Sequence, residues 1–268
     1  MPTWRSAAST CSMAASSPTP CARSERPKKR GMTMMKRMMG AALCAMLGGC
    51  VITVGSGGAA EAQGVGTKRF AVAGFDAVDL AGSDNVRVVR SDSVSVVASG
   101  DPRAVAALMV TVDRGTLRIS RKPGRWQDRG ATVTVTVPSL RAATLSGSGA
   151  MDVGAMAPTF DARLPGSGEL TLRDLHGETV RMELAGSGDL TASGTVRQAD
   201  IRLAGSGDID ARALAVRDLS VDLGGSGTVR AQASDTASLS IGGSGDVTVA
   251  GHPRCTVRKS GSGTVRCG

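Results

Sequence analysis

The stretch LAGSGDI at residues 203–209 contains a Gly-Ser-Gly triplet that recurs along the second half of the chain. Within residues 145–265 the triplet occurs seven times, and successive triplets are 19, 20, 19, 20, 18 and 18 residues apart. A constant period of this length is typical of a solenoid, in which each repeat stacks on the next. The glycines of the triplets are Gly147, Gly149, Gly166, Gly168, Gly186, Gly188, Gly205, Gly207, Gly225, Gly227, Gly243, Gly245, Gly261 and Gly263.

The residues on both sides of each triplet alternate between apolar and polar. Two residues before the triplet the side chain is Leu or Ile in six units, and Lys259 is the exception. Two residues after it the side chain is apolar in every unit. A period of two predicts strands with one buried face and one wet face. Each unit is therefore expected to contain a strand, a corner, a second strand and a looser stretch of about eight residues.

Two physical reasons for glycine at the corners follow from this arrangement. A tight corner often needs a positive φ, which glycine adopts without a steric penalty. Stacked corners must also approach one another closely. One unit cannot bury its apolar face alone, so neighbouring units must stack. The pattern predicts an all-β fold, a single-stranded right-handed parallel β-helix with about 18–20 residues per turn.

Three other architectures share part of this pattern. Leucine-rich repeats have a similar length but require an L-x-x-L-x-L core and an Asn or Cys column, which the repeats lack. Calcium-binding β-rolls have glycine-rich turns, but the column after the triplets is not consistently acidic and the period is too long. Hairpin turns in an antiparallel sheet explain the alternation but not the constant period.

The chain before the repeats divides into three parts. Residues 1–31 have no periodicity and are interpreted as an over-extended start. Residues 32–62 have a basic start and an apolar run, as in a secretory leader. The sequence LGGC at 47–50 resembles a lipoprotein box that would make Cys50 a lipidated residue, whereas AEA at 60–62 would release a soluble chain. Residues 63–268 are expected to form one β-helix domain, irregular over 63–140 and regular over 141–268.

The charge of the chain lies mostly in its leader. The whole sequence carries +9, but residues 63–268 contain 24 basic and 21 acidic side chains, a net charge of +3. Those residues hold only four aromatic side chains, namely Phe70, Phe75, Trp126 and Phe160. Nucleic-acid binding is therefore not expected.

The cysteines of the exported part form one expected disulfide. Cys255 and Cys267 lie six residues on either side of Gly261, in the apolar columns of the last repeat. Disulfides persist in exported proteins. We therefore expect a Cys255–Cys267 bond that closes the last turn and protects an exposed strand edge. Two separately buried thiols are the alternative.

The irregular part before the repeats contains a candidate contact loop. Asp101 and Pro102 predict the start of a short helix continuing over 104–110. The following loop over 121–130 contains Arg125, Trp126 and Arg129, which could contact an anionic or sugar ligand. More simply, Trp126 would cover an end of the solenoid.

The sequence offers little that resembles a catalytic or metal site. The two histidines, His176 and His252, are far apart, and no His/Cys/Asp spacing typical of zinc is present. Seven serines between glycines form a structural row rather than a set of nucleophiles. Arg163 and Arg202 lie in one outward column, but Glu183 and Asp222 alternate with them and are expected to neutralise them. No catalytic residue, metal or cofactor is predicted.

Several segments together resemble a known bacterial family. They are Gly74-Phe75-Asp76, residues 113–119, the strand over 133–140 and the L-x-G-S-G-x-L units. Over about residues 68–268 the chain resembles the "putative auto-transporter adhesin, head GIN domain" family. The resemblance implies a right-handed parallel β-helix on exported, often lipid-anchored proteins of Gram-negative bacteria. It implies no catalytic residue.

These observations favour a non-catalytic, envelope-associated binding module in the periplasm or at the outer membrane. Its expected partner is a surface ligand or envelope component, and the membrane is reached only through a lipid anchor. The sequence does not fix the oligomeric state. A polysaccharide-processing enzyme and a structural or regulatory periplasmic protein without a ligand are the alternatives.

Overall fold

The fold is taken from a computed structural model that describes residues 65–124 and 127–268. The predictions for 1–31 and 32–62, including Cys50, lie outside these ranges, as do Arg125 and Trp126. The strands before the repeats are β1 (Gly66–Phe70), β2 (Ala77–Ala81), β3 (Asn85–Arg90), β4 (Ser95–Gly100), β5 (Leu108–Asp113), β6 (Thr116–Arg121) and β7 (Ala131–Val137). Helix α1 (Pro102–Ala107) lies between β4 and β5.

The repeats form the rest of one continuous sheet. Their strands are β8 (Leu140–Leu145), β9 (Ala150–Val153), β10 (Met156–Leu164), β11 (Glu169–Leu184), β12 (Asp189–Leu203), β13 (Asp208–Leu223), β14 (Thr228–Ile241), β15 (Asp246–Ala250), β16 (Arg254–Lys259) and β17 (Val265–Cys267). Each strand after β9 pairs in parallel with the strand one repeat before it. This arrangement is a β-solenoid, and the predicted all-β parallel β-helix is confirmed.

The register of the stacked strands follows the spacing of the triplets. Leu184 pairs with Leu203, and Leu203 pairs with Leu223. In each pair the two leucines hold the same position, two residues before a triplet, in successive repeats. The side chains at this position therefore stack into one inward-facing column. Leu145, Leu164 and Leu184 are fully buried. Lys259 takes the place of the apolar residue in the last repeat, and it lies on a strand that is exposed at every position.

The triplet glycines make the corners possible through close approach alone. A Cβ placed on any of the fourteen would lie less than 3.0 Å from a backbone oxygen of the preceding turn. Gly225, for example, sits against the carbonyl oxygen of Gly205. None of the fourteen has a positive φ. The predicted need for positive φ is therefore wrong, because the bend is made within ordinary backbone conformations and only the stacking excludes a side chain.

The first part of the fold is more complex than a continued solenoid. Strands β2 and β3 form a turn around the corner Gly82-Ser83-Asp84. This turn stacks on β8 and β9 on one side and on β6 and β7 on the other, all in parallel. Three pairings in this part are antiparallel: β1 with β4, β4 with β7, and β5 with β6. None of these pairings contains a Gly-Ser-Gly triplet, so the triplets are not the hairpin turns of the antiparallel alternative.

Two local predictions differ from the structure. Helix α1 starts as expected, with the side chain of Asp101 accepting a hydrogen bond from Arg103 N at 2.8 Å. It ends at Ala107 rather than at 110, because the chain continues as β5, which pairs with β6. We expected a looser stretch of about eight residues between successive units. In β11 to β14 these stretches are strand, because their backbone groups pair with those of the neighbouring turn. His176 accordingly lies inside β11.

Candidate binding surface

The corners of the solenoid present a row of exposed serines. At each corner of the repeats the two glycines pack against backbone carbonyl groups of the neighbouring turn. The serine between them is the residue whose side chain is exposed. In several turns the serine N–H donates to the first glycine of the preceding corner, as Ser226 N does to Gly205 O at 3.1 Å. The exposed serines are Ser83, Ser148, Ser167, Ser187, Ser206, Ser226, Ser244 and Ser262. Seven of them are the predicted structural row.

A second outward column follows the corners. Its members are the residues that directly follow each corner, namely Asn85, Ala150, Glu169, Asp189, Asp208, Thr228, Asp246 and Thr264. Asn85 and Glu169 flank Ala150 directly, since both pair with it in the parallel register. The methyl group of Ala150 is the shortest side chain of this column, so the column has a notch at this turn.

A shallow groove of about 450 Å³ opens at the notch. Its floor includes Ala150, and its walls include Asn85, Glu169 and Arg173. A second depression of about 310 Å³ continues over the corner and shares Asn85, Ala150 and Glu169 with the first. Its other lining residues include Ser83, Ser148 and Ser167. The two depressions form one polar surface, which we call the Ala150 groove.

The charges beside the Ala150 groove are paired across turns. Arg173 Nε donates to Asp152 Oδ1 at 2.8 Å, and a guanidinium nitrogen of Arg87 lies 4.0 Å from Asp152 Oδ2. The same cross-turn pairing occurs on the preceding face, where Arg163 Nε lies 3.8 Å from a carboxylate oxygen of Glu183. Arg163 is therefore neutralised as the sequence indicates, and the alternating charges leave no basic strip of the kind a uronic-acid polymer would need.

A buried ion cluster lies at the end of the glycine columns. Asp84 takes the place of the second glycine at its corner, and its residue is only 2% exposed. Its carboxylate accepts hydrogen bonds from Arg121 and, at 2.9 Å, from Ala131 N. Arg121 also donates to both carboxylate oxygens of Asp128. The two carboxylates raise the pKa of the Arg121 guanidinium, chiefly through the hydrogen bonds that the guanidinium donates to Asp84, so this residue stays charged.

The described residues of the predicted contact loop, 121–124 and 127–130, adjoin this cluster. The loop joins β6 to β7, in the position that Gly-Ser-Gly corners occupy elsewhere. Asp128 Oδ1 accepts from Gly130 N at 2.9 Å, and Asp101 Oδ2 accepts from Arg129 N at 3.4 Å. Arg129 is exposed. No role for Asp84 was predicted from the sequence, although an Asp in a glycine column was a visible signal.

Three surface carboxylates among the described residues have lowered pKa values, namely Asp101 before helix α1 and two in the repeats, Asp210 and Asp246. The guanidinium of Arg212 lowers the pKa of Asp210 through side-chain hydrogen bonds. The hydroxyl and the N–H of Thr264 lower the pKa of Asp246. Both groups are therefore anionic at neutral pH and belong to local pairs between or within turns.

The last turn contains the cysteine pair singled out by the sequence. The structure joins Cys255 and Cys267 by a disulfide with a Cα–Cα separation of 6.5 Å. Cys255 lies on β16, which pairs with β14, and Cys267 lies on β17, which pairs with β15. The bond thus ties together the two strands of the final turn.

The described residues contain no group of three or more His, Cys, Asp and Glu side chains placed to hold a metal ion. His176 and His252 lie in different turns, since β11 and the segment after β15 are separated by several stacked strands. No helix within residues 65–124 and 127–268 has the length and apolar character needed to cross a membrane.

The sequence pattern of one family covers more than half of the chain. Residues 74–253 match the family described as "putative auto-transporter adhesin, head GIN domain". The chain belongs to this family. None of the curated proteins is similar enough in sequence to count as a match.

Solved structures share the fold of this head GIN domain protein. A structure from Bacteroides fragilis described as a "putative adhesin" has a TM-score of 0.72 and 22% sequence identity, covering 76% of this chain and 97% of that one. One from Parabacteroides distasonis described as a "putative lipid binding protein" has a TM-score of 0.60 and 21% identity, with 76% and 96% covered. A "putative adhesin" from the same species has a TM-score of 0.62 and 21% identity, with 76% and 97% covered.

Proposed function

We propose that the protein is an exported binding module of the adhesin type, attached to the cell envelope and without catalytic activity. The observation that carries this proposal is the exposed corner surface, where serine hydroxyls repeat at every turn beside the Ala150 groove. Strands in a sheet are about 4.8 Å apart, so this surface is a regular array of hydrogen-bonding groups suited to an extended ligand.

The solenoid interior argues for a surface ligand rather than an enclosed one. The inward columns are filled by aliphatic side chains together with Phe160, and most of them are fully buried. A lipid-binding function, as in the description of one structural neighbour, needs an apolar cavity or patch. The only large apolar side chains exposed in the described residues are scattered: Val65, Val89, Val94, Met109 and Val257. An external polar ligand fits this surface better.

The envelope attachment is tested through Cys50 and the position of the protein in the cell. Intact cells are treated with protease and the protein is followed by immunoblot, in the wild type and in a Cys50→Ala variant. We expect digestion in intact cells and loss of membrane association in the variant. Protection until the outer membrane is opened would refute an adhesin and leave a periplasmic role.

Binding itself is tested with the Cys50→Ala protein added to cells that lack the protein. We expect saturable retention on the cells or their isolated envelopes. Retention no greater than that of an unrelated exported domain of similar charge would contradict the proposed binding function.

A further inference from the structure

The geometry points to the Ala150 groove as a binding site for a neutral, hydroxyl-rich ligand, namely one or two sugar units of an uncharged polysaccharide. This inference rests on the proposed binding function and names the ligand class for it. The groove is built by the register of three turns that bring Asn85, Ala150 and Glu169 side by side.

The notch has unused hydrogen-bonding capacity on both walls. Asn85 accepts a hydrogen bond from Ala150 N at 3.4 Å through its Oδ1, which leaves the amide nitrogen to donate outward. Glu169 is exposed, and its carboxylate accepts no hydrogen bond from any described residue. One wall therefore donates and the opposite wall accepts. A pair of neighbouring hydroxyls, each both donor and acceptor, satisfies both walls at once.

The rims of the groove extend the same chemistry. Arg173 uses its Nε for Asp152 and keeps its other guanidinium N–H groups available. Ser148 and Ser167 are exposed at the corner and line the adjoining depression. Each of these groups suits a hydroxyl ligand, and together they surround the methyl group of Ala150.

The charge of the lining selects against ionic ligands. Arg87 and Arg173 contribute two positive charges to the main groove, and Asp152 and Glu169 contribute two negative charges. These four charges cancel in the main depression, and Asp189 adds one negative charge to the adjoining depression over the corner. An anionic ligand would face Glu169, and a cationic ligand would face the two guanidinium groups. A neutral ligand meets no such opposition.

The size and openness of the groove fit a segment of a chain rather than a small apolar molecule. Ligand pockets typically range from about 300 to 1,000 Å³ and are mostly apolar. The main groove is about 450 Å³, lies open at the surface and is lined mainly by polar groups. Because only a few solvent-exposed hydrogen bonds hold the ligand, we expect a dissociation constant on the order of 1 mM for one short oligosaccharide. Several copies on one cell surface would strengthen attachment through multivalency.

The test titrates the purified exported form of the protein with neutral tetrasaccharides of glucose, mannose and galactose up to about 20 mM. Backbone amide NMR shifts are followed, with tetragalacturonate and tetraglucosamine as charged probes. We expect at least one neutral tetrasaccharide to shift the amides of Asn85, Ala150 and Glu169. Absence of shifts with every neutral probe would overturn the inference, as would binding of a charged probe about tenfold tighter.

A matched pair of variants locates the site. Ala150→Lys fills the notch with a long side chain that points outward, so the core is unchanged. Thr228→Lys adds the same charge in the same outward column, away from the groove. We expect Ala150→Lys to abolish the shifts and Thr228→Lys to retain them. Equal effects of the two substitutions would refute the assignment to the groove.

The same variants separate this inference from the proposed function. If the Ala150→Lys protein is retained on cells as well as the wild type, the ligand binds elsewhere and only the groove assignment fails. If neither protein is retained, the binding function itself fails. Loss of retention in Ala150→Lys alone supports both.

Discussion

Replacing Gly225 by alanine should break the stacking of two corners, whereas the same replacement at Gly224 should not. A Cβ at Gly225 would lie less than 3.0 Å from the carbonyl oxygen of Gly205 and 2.9 Å from its carbonyl carbon. That oxygen also accepts the hydrogen bond from Ser226 N at 3.1 Å. The obstacle is hydrogen-bonded backbone, which cannot move aside as a flexible side chain would.

The magnitude can be worked from these contacts. Forcing an extra methyl into a packed site costs about 1–3 kcal/mol. Losing the hydrogen bond to Gly205 O adds about 1–3 kcal/mol if the groups stay buried. The smaller entropy of the unfolded alanine chain offsets about 0.4–1 kcal/mol. We therefore expect Gly225→Ala to lower the free energy of unfolding by about 1–6 kcal/mol, compared with the roughly 5–15 kcal/mol of a typical domain.

Gly224 provides the adjacent control. A Cβ there would come no closer than 4.0 Å to the nearest atom, Leu203 O, and its φ is not positive. Alanine already occupies the equivalent positions at Ala185 and Ala204. Gly224→Ala should therefore be neutral or stabilise by up to about 1 kcal/mol.

The assay is urea unfolding of both variants, together with amide hydrogen exchange. Solenoid turns contact only their neighbours, so the damage should appear first as local opening. Exchange should accelerate at Ser244 N, which donates to Gly225 O, before it does in β8. A loss below about 1 kcal/mol in Gly225→Ala, or equal losses in both variants, would show that close approach does not explain the glycines.

Three further predictions concern the last turn, the ion cluster and acid stability. Cys255→Ser should lower the free energy of unfolding by about 3 kcal/mol, since the bond to Cys267 closes a loop with a sequence separation of 12; unfolding of the wild type with and without reductant checks this. Asp84→Ala should cost about 3–5 kcal/mol in urea unfolding, because it leaves the mostly buried Arg121 without its main partner. The pKa of Asp246 is lowered in the folded state. The ionised carboxylate therefore stabilises the fold above the unfolded pKa of 3.8, and this stabilisation is lost as the pH falls from 3.8 through the lower folded pKa. The urea midpoint should accordingly fall less on acidification in Asp246→Asn than in the wild type.

Controls for these predictions lie on the same solenoid. Arg163→Ala removes one partner of an exposed cross-turn pair and should cost less than about 1 kcal/mol. A similar loss in Asp84→Ala would contradict a buried role for that carboxylate. In acid, identical pH profiles for Asp246→Asn and the wild type would contradict the pKa argument.

The repeats were predictable from sequence because stacking fixes the register. Each triplet marks a corner, and the columns on either side follow from its spacing, as the Leu184–Leu203 and Leu203–Leu223 pairs show. One inferred cause was wrong. Positive φ is a local property and the triplets do not need it, whereas the crowding that excludes a side chain arises only between turns.

The strand order before the repeats could not be predicted. Alternation marks a strand but is the same for parallel and antiparallel neighbours, so the patterns in β4 and β7 do not show that these strands run in opposite directions. The turn of β2 and β3 is separated from its neighbour β8 by four strands and a helix in the sequence. The pairing of β2 with β8 brings together residues far apart in the sequence, and local alternation does not predict which distant strands pair.

The Ala150 groove could not be predicted from the sequence either, because it depends on the same long-range strand pairing. Ala150 is adjacent to Asn85 only through a pairing of residues 65 positions apart in sequence. The glycines of the corners cannot vary without breaking the stack, and every triplet of the repeats carries the same exposed serine. Differences in ligand preference must therefore come from the flanking columns, where side chains are free to change. Ala150 is the position in its column where a short side chain leaves space for a ligand, and substitutions there should alter binding without altering the fold.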